Sequence, residues 1–371
     1  MKLKINKKEL TKVFSQLEKV IEPRSVIHSL ECAKITVKED EITIVVSNTN
    51  FSIKRTIKKT ENNEFTVKEE GTVVLDTKVT AKILRSLEAD EIEFNTIKGK
   101  ETSVRIKGGK SKYDIQGISV EDYPKITFNE PENQFSILGS TLKSIIESTI
   151  YACDKNETRP ILTGLNMKSN GHEISFIATD GRRLAKRVIV KNAPEFNVVV
   201  PKESLSDVLK TVDDKDELTV FVDERIIVVK SENTIMRCRL IEGTYIDAER
   251  IIPMESETQL KISSDLLYNV LNRVSILNDD DHNKVEFEFN DDELKIRSSA
   301  QFVGVSEETI TEFEKKGKDL FICFDYVFLR DALKTRKGTE VTLYFKDCLK
   351  PFIIKNDNDD KDLELICPVR F

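Results

Sequence analysis

The chain has 371 residues, of which 39% are hydrophobic and 33% charged, with only 13 glycines and 9 prolines. This composition excludes a disordered or collagen-like chain, and the length exceeds one ordinary domain. No stretch approaches the roughly 20 apolar residues that span a bilayer, and the opening residues MKLKIN lack a signal-peptide core, so a cytoplasmic protein with no membrane partner is expected. Six cysteines (Cys32, Cys153, Cys238, Cys323, Cys348 and Cys367) form no CxxC pair and read as reduced, mostly buried thiols. The net charge of -7 is unevenly spread. Residues 1–129 hold 24 Lys and Arg against 20 Asp and Glu, a net of +4, which leaves -11 for residues 130–371. Such asymmetry lets one surface face a polyanion while the rest stays acidic.

A repeat organises the chain. Six segments align without gaps from Leu3, Val73, Phe135, Val198, Leu260 and Ile322, at spacings of 70, 62, 63, 62 and 62. Offsets 0, +2, +7, +10 and +11 are apolar in each, except at Thr80. Alternation over the first residues, then helical spacing, predicts a short strand running into an amphipathic helix. With those offsets buried, offsets +5, +9 and +12 face solvent.

In chain order, the first helix follows the capping residue Asn6 and presents Lys8, Lys12 and Ser15 outward; the second follows Asp76 and presents Lys78, Lys82 and Arg85. Five of these six are basic, a face suited to loose phosphate contact. The third helix, with Ser140 as its expected cap, presents Ser140, Ser144 and Glu147, and the fourth, after Pro201, presents Glu203, Asp207 and Lys210. The fifth, after Ser263, presents Asp265, Asn269 and Asn272, and the sixth, after Asp325, presents Val327, Asp331 and Lys334. These four faces are mixed in charge, and no aromatic on the basic faces offers a stacking platform for single strands. Between helices, alternating runs such as residues 41–46, 91–94 and 286–289 predict antiparallel strands with one buried face. Each βαβββ unit of about 60 residues leaves a sheet edge uncovered, so units should pair into three similar domains, about 1–129, 130–254 and 255–371. The predicted class is α+β. An open solenoid is the alternative, although solenoid repeats usually run 20–45 residues with distinct terminal caps.

Catalytic chemistry finds no support in the motifs. Gly109-Lys110-Ser111 resembles the end of a P-loop, but Val104 stands where that motif needs glycine, and a hairpin turn at Gly108-Gly109 is the better reading. His28, His172 and His282 lie in different repeats without partners at ligand spacing. The acidic clusters at residues 213–217, 279–281 and 357–360 lack the glycine and terminal glutamate of a calcium loop and read as solvated turns. No metal or cofactor is expected. An enzyme acting on DNA and a repeat scaffold that binds only proteins remain the rival classes.

Several segments resemble one family: ETRPILTG at 157–164, ATDGRRLA at 178–185, EGTYID at 242–247, CPVRF at 367–371, AKILRSL at 81–87 and EDYP at 121–124. They are similar, in order and spacing, to signature segments of the bacterial DNA polymerase beta clamp family. The resemblance implies a DNA clamp fold, in which a non-catalytic head-to-tail dimer of three-domain chains forms a ring with helices on the inner face and antiparallel sheets outside. It implies as partners duplex DNA, bound without regard to sequence, the replicative polymerase, the clamp loader, and other polymerases and repair proteins that carry short clamp-binding peptides. Arg24 and Lys202 join the basic helix residues as implied DNA contacts. Ile276 and Leu277, two apolar side chains before an acidic turn, are expected at the dimer contact, and the resemblance matches them with Tyr113 and Ile115 of the other chain.

The resemblance also places a peptide pocket on Leu162, Thr179, Gly181, Arg183, Leu184, Ile246, Arg250, Ile251, Pro368, Val369 and Arg370. Arg182 stands where the family mostly has histidine, Ile246 where it usually has proline, and Cys367 and Val369 where some members have methionine. Independently of the resemblance, Pro368 cannot donate to a sheet ladder, so the apolar tail LICPVRF is expected to leave the last strand. Against Leu162, Leu184 and Ile251 it would build an apolar groove rimmed by Arg183, Arg250 and Arg370, suited to a short extended peptide with apolar anchors and a polar or acidic flank.

Overall fold

The computed structural model describes every residue except 22–26, 62, 279–282, 301–302, 358–360 and 370–371. Six α-helices are present among the described residues: α1 Lys7–Leu17, α2 Thr77–Ser86, α3 Gly139–Glu147, α4 Lys202–Thr211, α5 Ser264–Val274 and α6 Tyr326–Lys334. Each follows a strand that contains one of the six repeat starts, so the strand-to-helix reading holds six times. The change of period is physical. Leu3 and Ile5 alternate into the core from the first strand, and one turn later Leu10, Val13 and Phe14 bury the helix face. Thr80, the one polar residue at a core offset, is fully buried because its hydroxyl donates to the Asp76 carbonyl at 2.6 Å.

Capping agrees at four of the five expected residues. Asn6, Asp76, Ser263 and Asp325 accept from backbone N–H groups of Lys8, Val79, Leu266 and Val327. Ser140 does not cap; α3 begins one residue earlier at Gly139, packed so close that a Cβ there would meet the Asp213 carbonyl at 2.2 Å. The hairpin turn also shifts by one residue, because Gly108 pairs with Ser111 and the turn is Gly109-Lys110, with Gly109 at φ +58°.

The chain divides into two compact units, one of Met1–Lys143 with Glu203–Leu240 and the other of Ser144–Lys202 with Ile241–Phe371. The first holds a five-stranded and an eight-stranded antiparallel sheet. In the larger sheet, Phe51–Lys58 from the first repeat pairs with Thr234–Arg239 from the fourth, Ile53 opposite Met236, which removes the open edge each repeat would otherwise expose. The second unit repeats the solution. Its nine-stranded sheet joins Arg183–Val190 to Leu363–Ile366, with Leu184 opposite Leu365, and its four-stranded sheet stands beside α5 and α6 over a core of Phe287, Phe289, Phe324, Phe345 and Phe352.

Candidate functional site

The basic helix face lies in the first unit. Helices α1 and α2 pack against each other, with Leu10, Val13, Phe14, Ile83 and Leu84 buried. Lys8, Lys12 and Lys82 are exposed and Lys78 half-buried, and none of the four makes an ion pair among the described residues. Arg85 differs. Its guanidinium forms a two-point ion pair with Glu18, with Nη2 to Oε2 at 3.1 Å, so much of its charge is already answered.

Cations on the other helices are mostly paired. Lys143 meets Asp214 at 2.5 Å, Lys210 meets Asp207 at 2.7 Å, and Arg273 forks onto Glu308. Asp207 is a correction to the helical projection: it is buried, 7% exposed, under Lys210, instead of facing solvent. Lys202 is the first residue of α4 and half-buried, and Arg24 lies outside the described residues.

Of the residues expected to form the peptide groove, Leu162 and Leu184 share one apolar cluster and Thr179, Gly181 and Arg183 meet in one turn, all within the second unit. Strands Glu173–Thr179 and Arg183–Val190 are joined by a turn in which Thr179 Oγ1 donates to the Arg183 carbonyl at 2.5 Å and accepts from Gly181 N–H at 3.0 Å. Gly181 sits at φ +87°, and a side chain there would crowd the Arg159 guanidinium. Leu162 and Leu184 are buried in one apolar cluster with Tyr245, Ala248 and Leu365, and Cys367 packs against it. Ile246 and Ile251, neighbours of those cluster residues in the chain, are 43% and 46% exposed, and Val369 is 44% exposed. These are three large apolar side chains left partly open to solvent.

The tail behaves as Pro368 dictates. It leaves the strand Leu363–Ile366, Cys367 N–H donates to the Arg182 carbonyl at 2.8 Å, and Val369 N–H donates to the Cys323 carbonyl at 2.8 Å. Pro368 is bridged to Phe324, so the tail also runs beside the strand Leu320–Asp325. Burial pushes the Cys367 thiol up, with Asp180 adding to the effect. Arg370 lies outside the described residues.

Arg183 is not on the rim, which corrects the sequence reading. It is 7% exposed, with Nε donating to Asp180 at 3.0 Å, Nη1 to Asp331 at 2.7 Å and Nη2 to the Tyr151 carbonyl at 2.7 Å, while its plane lies 4.6 Å from the Phe328 ring centre. A guanidinium is buried only when its fork of donors is satisfied, and three acceptors on separate elements do that here. Asp331, Phe328, Asp180 and Tyr151 were not singled out as pocket residues. Only Asp180, inside the ATDGRRLA segment, had a local signal. The exposed cations at the turn are Arg182, over the Phe328 ring at 5.3 Å, and Arg159, which donates to the Asp180 carbonyl at 3.0 Å; Arg250, whose side chain is 84% exposed, pairs with Asp247 at 2.6 Å.

The expected dimer residues occupy two outermost strands or their surroundings. Tyr113 and Ile115 are half-buried on Ser111–Gln116, the outermost strand of the five-stranded sheet. In the second unit, Ile276 is 75% exposed on the short turn Ser275–Leu277, and Leu277 reaches within 3.6 Å of where a Cβ on Gly304 would sit. Gly304–Ile310 is the outermost strand of the four-stranded sheet, and Val303 and Val305, which the sequence reading did not pick out, are each 65% exposed.

Comparison with known proteins completes the assignment. The DNA polymerase III beta subunit family matches along the chain, with its N-terminal domain at residues 1–127, its central domain at 136–247 and its C-terminal domain at 249–370. The beta sliding clamp of Bacillus subtilis is 30% identical over 378 residues, covering 100% of both chains, and that of Staphylococcus aureus 30% over 358 residues, covering 95% and 94%. The crystal structure of the DNA polymerase sliding clamp from Bacillus subtilis superposes with a TM-score of 0.95 at 28% identity, covering 100% of this chain and 99% of that one. The beta subunit from Streptococcus pyogenes does so at 0.94 and 27%, covering 100% of both. With three strand-to-helix repeat pairs, the matching folds and this extent of similarity, the chain belongs to the DNA polymerase III beta subunit family, the beta sliding clamps.

Proposed function

We propose that two copies of this chain close head to tail into a ring around duplex DNA, and that the ring acts in the cytoplasm, without catalysis of its own, as a processivity clamp. The observation that carries this reading is the set of four lysines on α1 and α2 with no carboxylate partner among the described residues, above a fully packed apolar face. Loose cationic contact holds any duplex sequence and lets it slide, and a closed ring needs no tight affinity. Closure uses the two outermost strands: Tyr113 and Ile115 of one copy meet Ile276 and Leu277 of the other, with Val303 and Val305 beside them. Joining unlike surfaces twice closes the assembly instead of extending it.

The groove of Leu162, Leu184, Ile246, Ile251, Pro368 and Val369 then takes the apolar anchors of peptides from the replicative polymerase, the clamp loader, and other polymerases and repair proteins. Arg250 stands over its exposed side, and Arg183 holds its floor in place. Loading onto nicked circular DNA followed by linearisation tests the ring. The protein should stay on the circle and leave the linear form, with a solution mass twice 42.5 kDa. Equal retention on open-ended DNA, or a monomer at working concentration, refutes it.

A further inference from the structure

The five-stranded sheet of the first unit buries one face and leaves the other open. Leu3, Ile5, Ile92, Phe94, Val104 and Ile106 enter the core. Their alternates form the outer face, where Lys4 pairs across to Glu93 and Glu93 to Lys107, while Lys2 pairs to Asn95 and Asn95 to Arg105. A groove of about 470 Å³ crosses this outer face. Two of the ladders that line it slip in register, one between Lys2 and Leu3 and the other between Thr96 and Ile97. Register slips of this kind bend and twist a strand, which favours a concave sheet face.

The groove is strongly one-signed. Six cations line it against a single carboxylate, Glu93. Three of the cations are answered from outside the lining: Lys2 by Glu69 at 3.1 Å, Lys4 by Glu91 at 2.5 Å and Arg105 by Asp114 at 2.7 Å. Lys68, Lys98 and Lys107 have no ion pair among the described residues. These three are separate from the α1 and α2 lysines assigned to DNA, so the reading of that helix face leaves them unexplained.

We propose that this groove docks an extended acidic peptide segment of a partner protein, as an anchoring point additional to the apolar groove of the second unit. Charge complementarity sets the sign of the occupant. Its class follows from the lining, which contains no aromatic ring to stack a nucleobase and holds Glu93, which a continuous row of phosphates would have to cross. The volume falls in the range of about 300–1,000 Å³ usual for ligand clefts, enough for a few residues of extended chain and too small for a duplex. A peptide can place its carboxylates opposite Lys68, Lys98 and Lys107 and an uncharged residue opposite Glu93.

The test uses the full chain and a fluorescein-labelled twelve-residue peptide alternating glutamate with serine, measured by anisotropy at low salt. Its controls are the same peptide with glutamine for glutamate and a twelve-residue oligothymidylate. Binding of the acidic peptide should weaken about tenfold or more in a Lys68→Glu/Lys98→Glu/Lys107→Glu variant, since each reversal removes one exposed attraction and adds a repulsion. It should be retained in a Lys8→Ala/Lys12→Ala/Lys78→Ala/Lys82→Ala variant. Equal loss in the two variants, or no loss in the first, overturns the site; oligothymidylate binding that is stronger and lost in the first variant assigns the groove to nucleic acid instead. The reversed side chains are exposed, and an unchanged thermal midpoint confirms that the first variant folds.

Discussion

On α1 and α2, four lysines stand without carboxylate partners among the described residues, whereas in the second unit the arginines of the strand Arg183–Val190 are buried and saturated. Arg187 and Arg336 both grip Glu364, which is 1% exposed, and Arg336 also donates to Asn356 at 3.0 Å and to the Asp362 carbonyl at 3.1 Å. Positive charge thus serves opposite ends in the two regions. Where contacts must be weak and interchangeable the charge is left in water, and where geometry must be fixed it is enclosed by acceptors. The contrast can be broken from either side.

The largest effect should come from Glu364→Ala. Removing the shared carboxylate leaves two guanidiniums buried without their counter-charge, and breaking a buried pair in this way costs about 3–5 kcal/mol. Denaturant unfolding should show that loss, while a loss below about 1 kcal/mol would mean that water or other acceptors already serve these side chains.

Next comes the floor of the proposed peptide groove. Asp331→Asn removes the charge that Arg183 meets at 2.7 Å, and a peptide with apolar anchors should bind about tenfold more weakly, equivalent to about 1.4 kcal/mol. Arg250→Ala, at an exposed side chain with one surface pair, should cost less than that. The reverse ranking would place Arg183 and its cage outside the binding event. A double variant that exchanges Arg183 and Asp331 should recover part of the affinity if their pairing is what matters.

On the lysine side, each alanine at Lys8, Lys12, Lys78 or Lys82 should lower the salt slope of DNA binding by about 0.9. Arg85→Ala should lower it by less, because Glu18 already neutralises that guanidinium and holds its proton more firmly than usual. A larger change for Arg85 than for any of the lysines would show that the Glu18 pair opens on DNA.

The smallest effect concerns pH. Burial raises the Asp325 carboxyl above its ordinary 3.8, although the Val327 N–H and the charges of Arg182 and Arg183 oppose this. The folded chain therefore keeps this proton to higher pH than the unfolded chain. Stability from this group falls as pH rises from about 3.8 through the raised folded value, and the loss is complete above it. Asp325→Asn keeps an acceptor for Val327 and should remove that part of the slope; an unchanged acid-limb profile would count against a buried, proton-retaining Asp325.

The six strand-to-helix units were legible in the chain because each is encoded by a change of period over about a dozen neighbouring residues, and a side chain's inward or outward direction follows from local backbone geometry. The lysine face of α1 and α2 was legible for the same reason, as was the departure of the tail at Pro368, where a missing N–H ends the ladder. Tertiary structure alone decided which charges are free. Helical projection misplaces Asp207, and motif position cannot show what a distant segment brings up to Arg183. Asp207 is covered by Lys210 from its own helix, but Arg183 is enclosed by Asp331 and Phe328 from about 150 residues away and by Tyr151. Neighbouring repeats were expected to pair, as Lys2–Asn6 does with Glu91–Ile97 and Gln134–Leu138 with Glu217–Val222; the joins of the first repeat to the fourth and of the third to the sixth were not expected, since strand edges carry the same N–H and C=O groups whatever the sequence. Which edges meet depends on how whole faces pack.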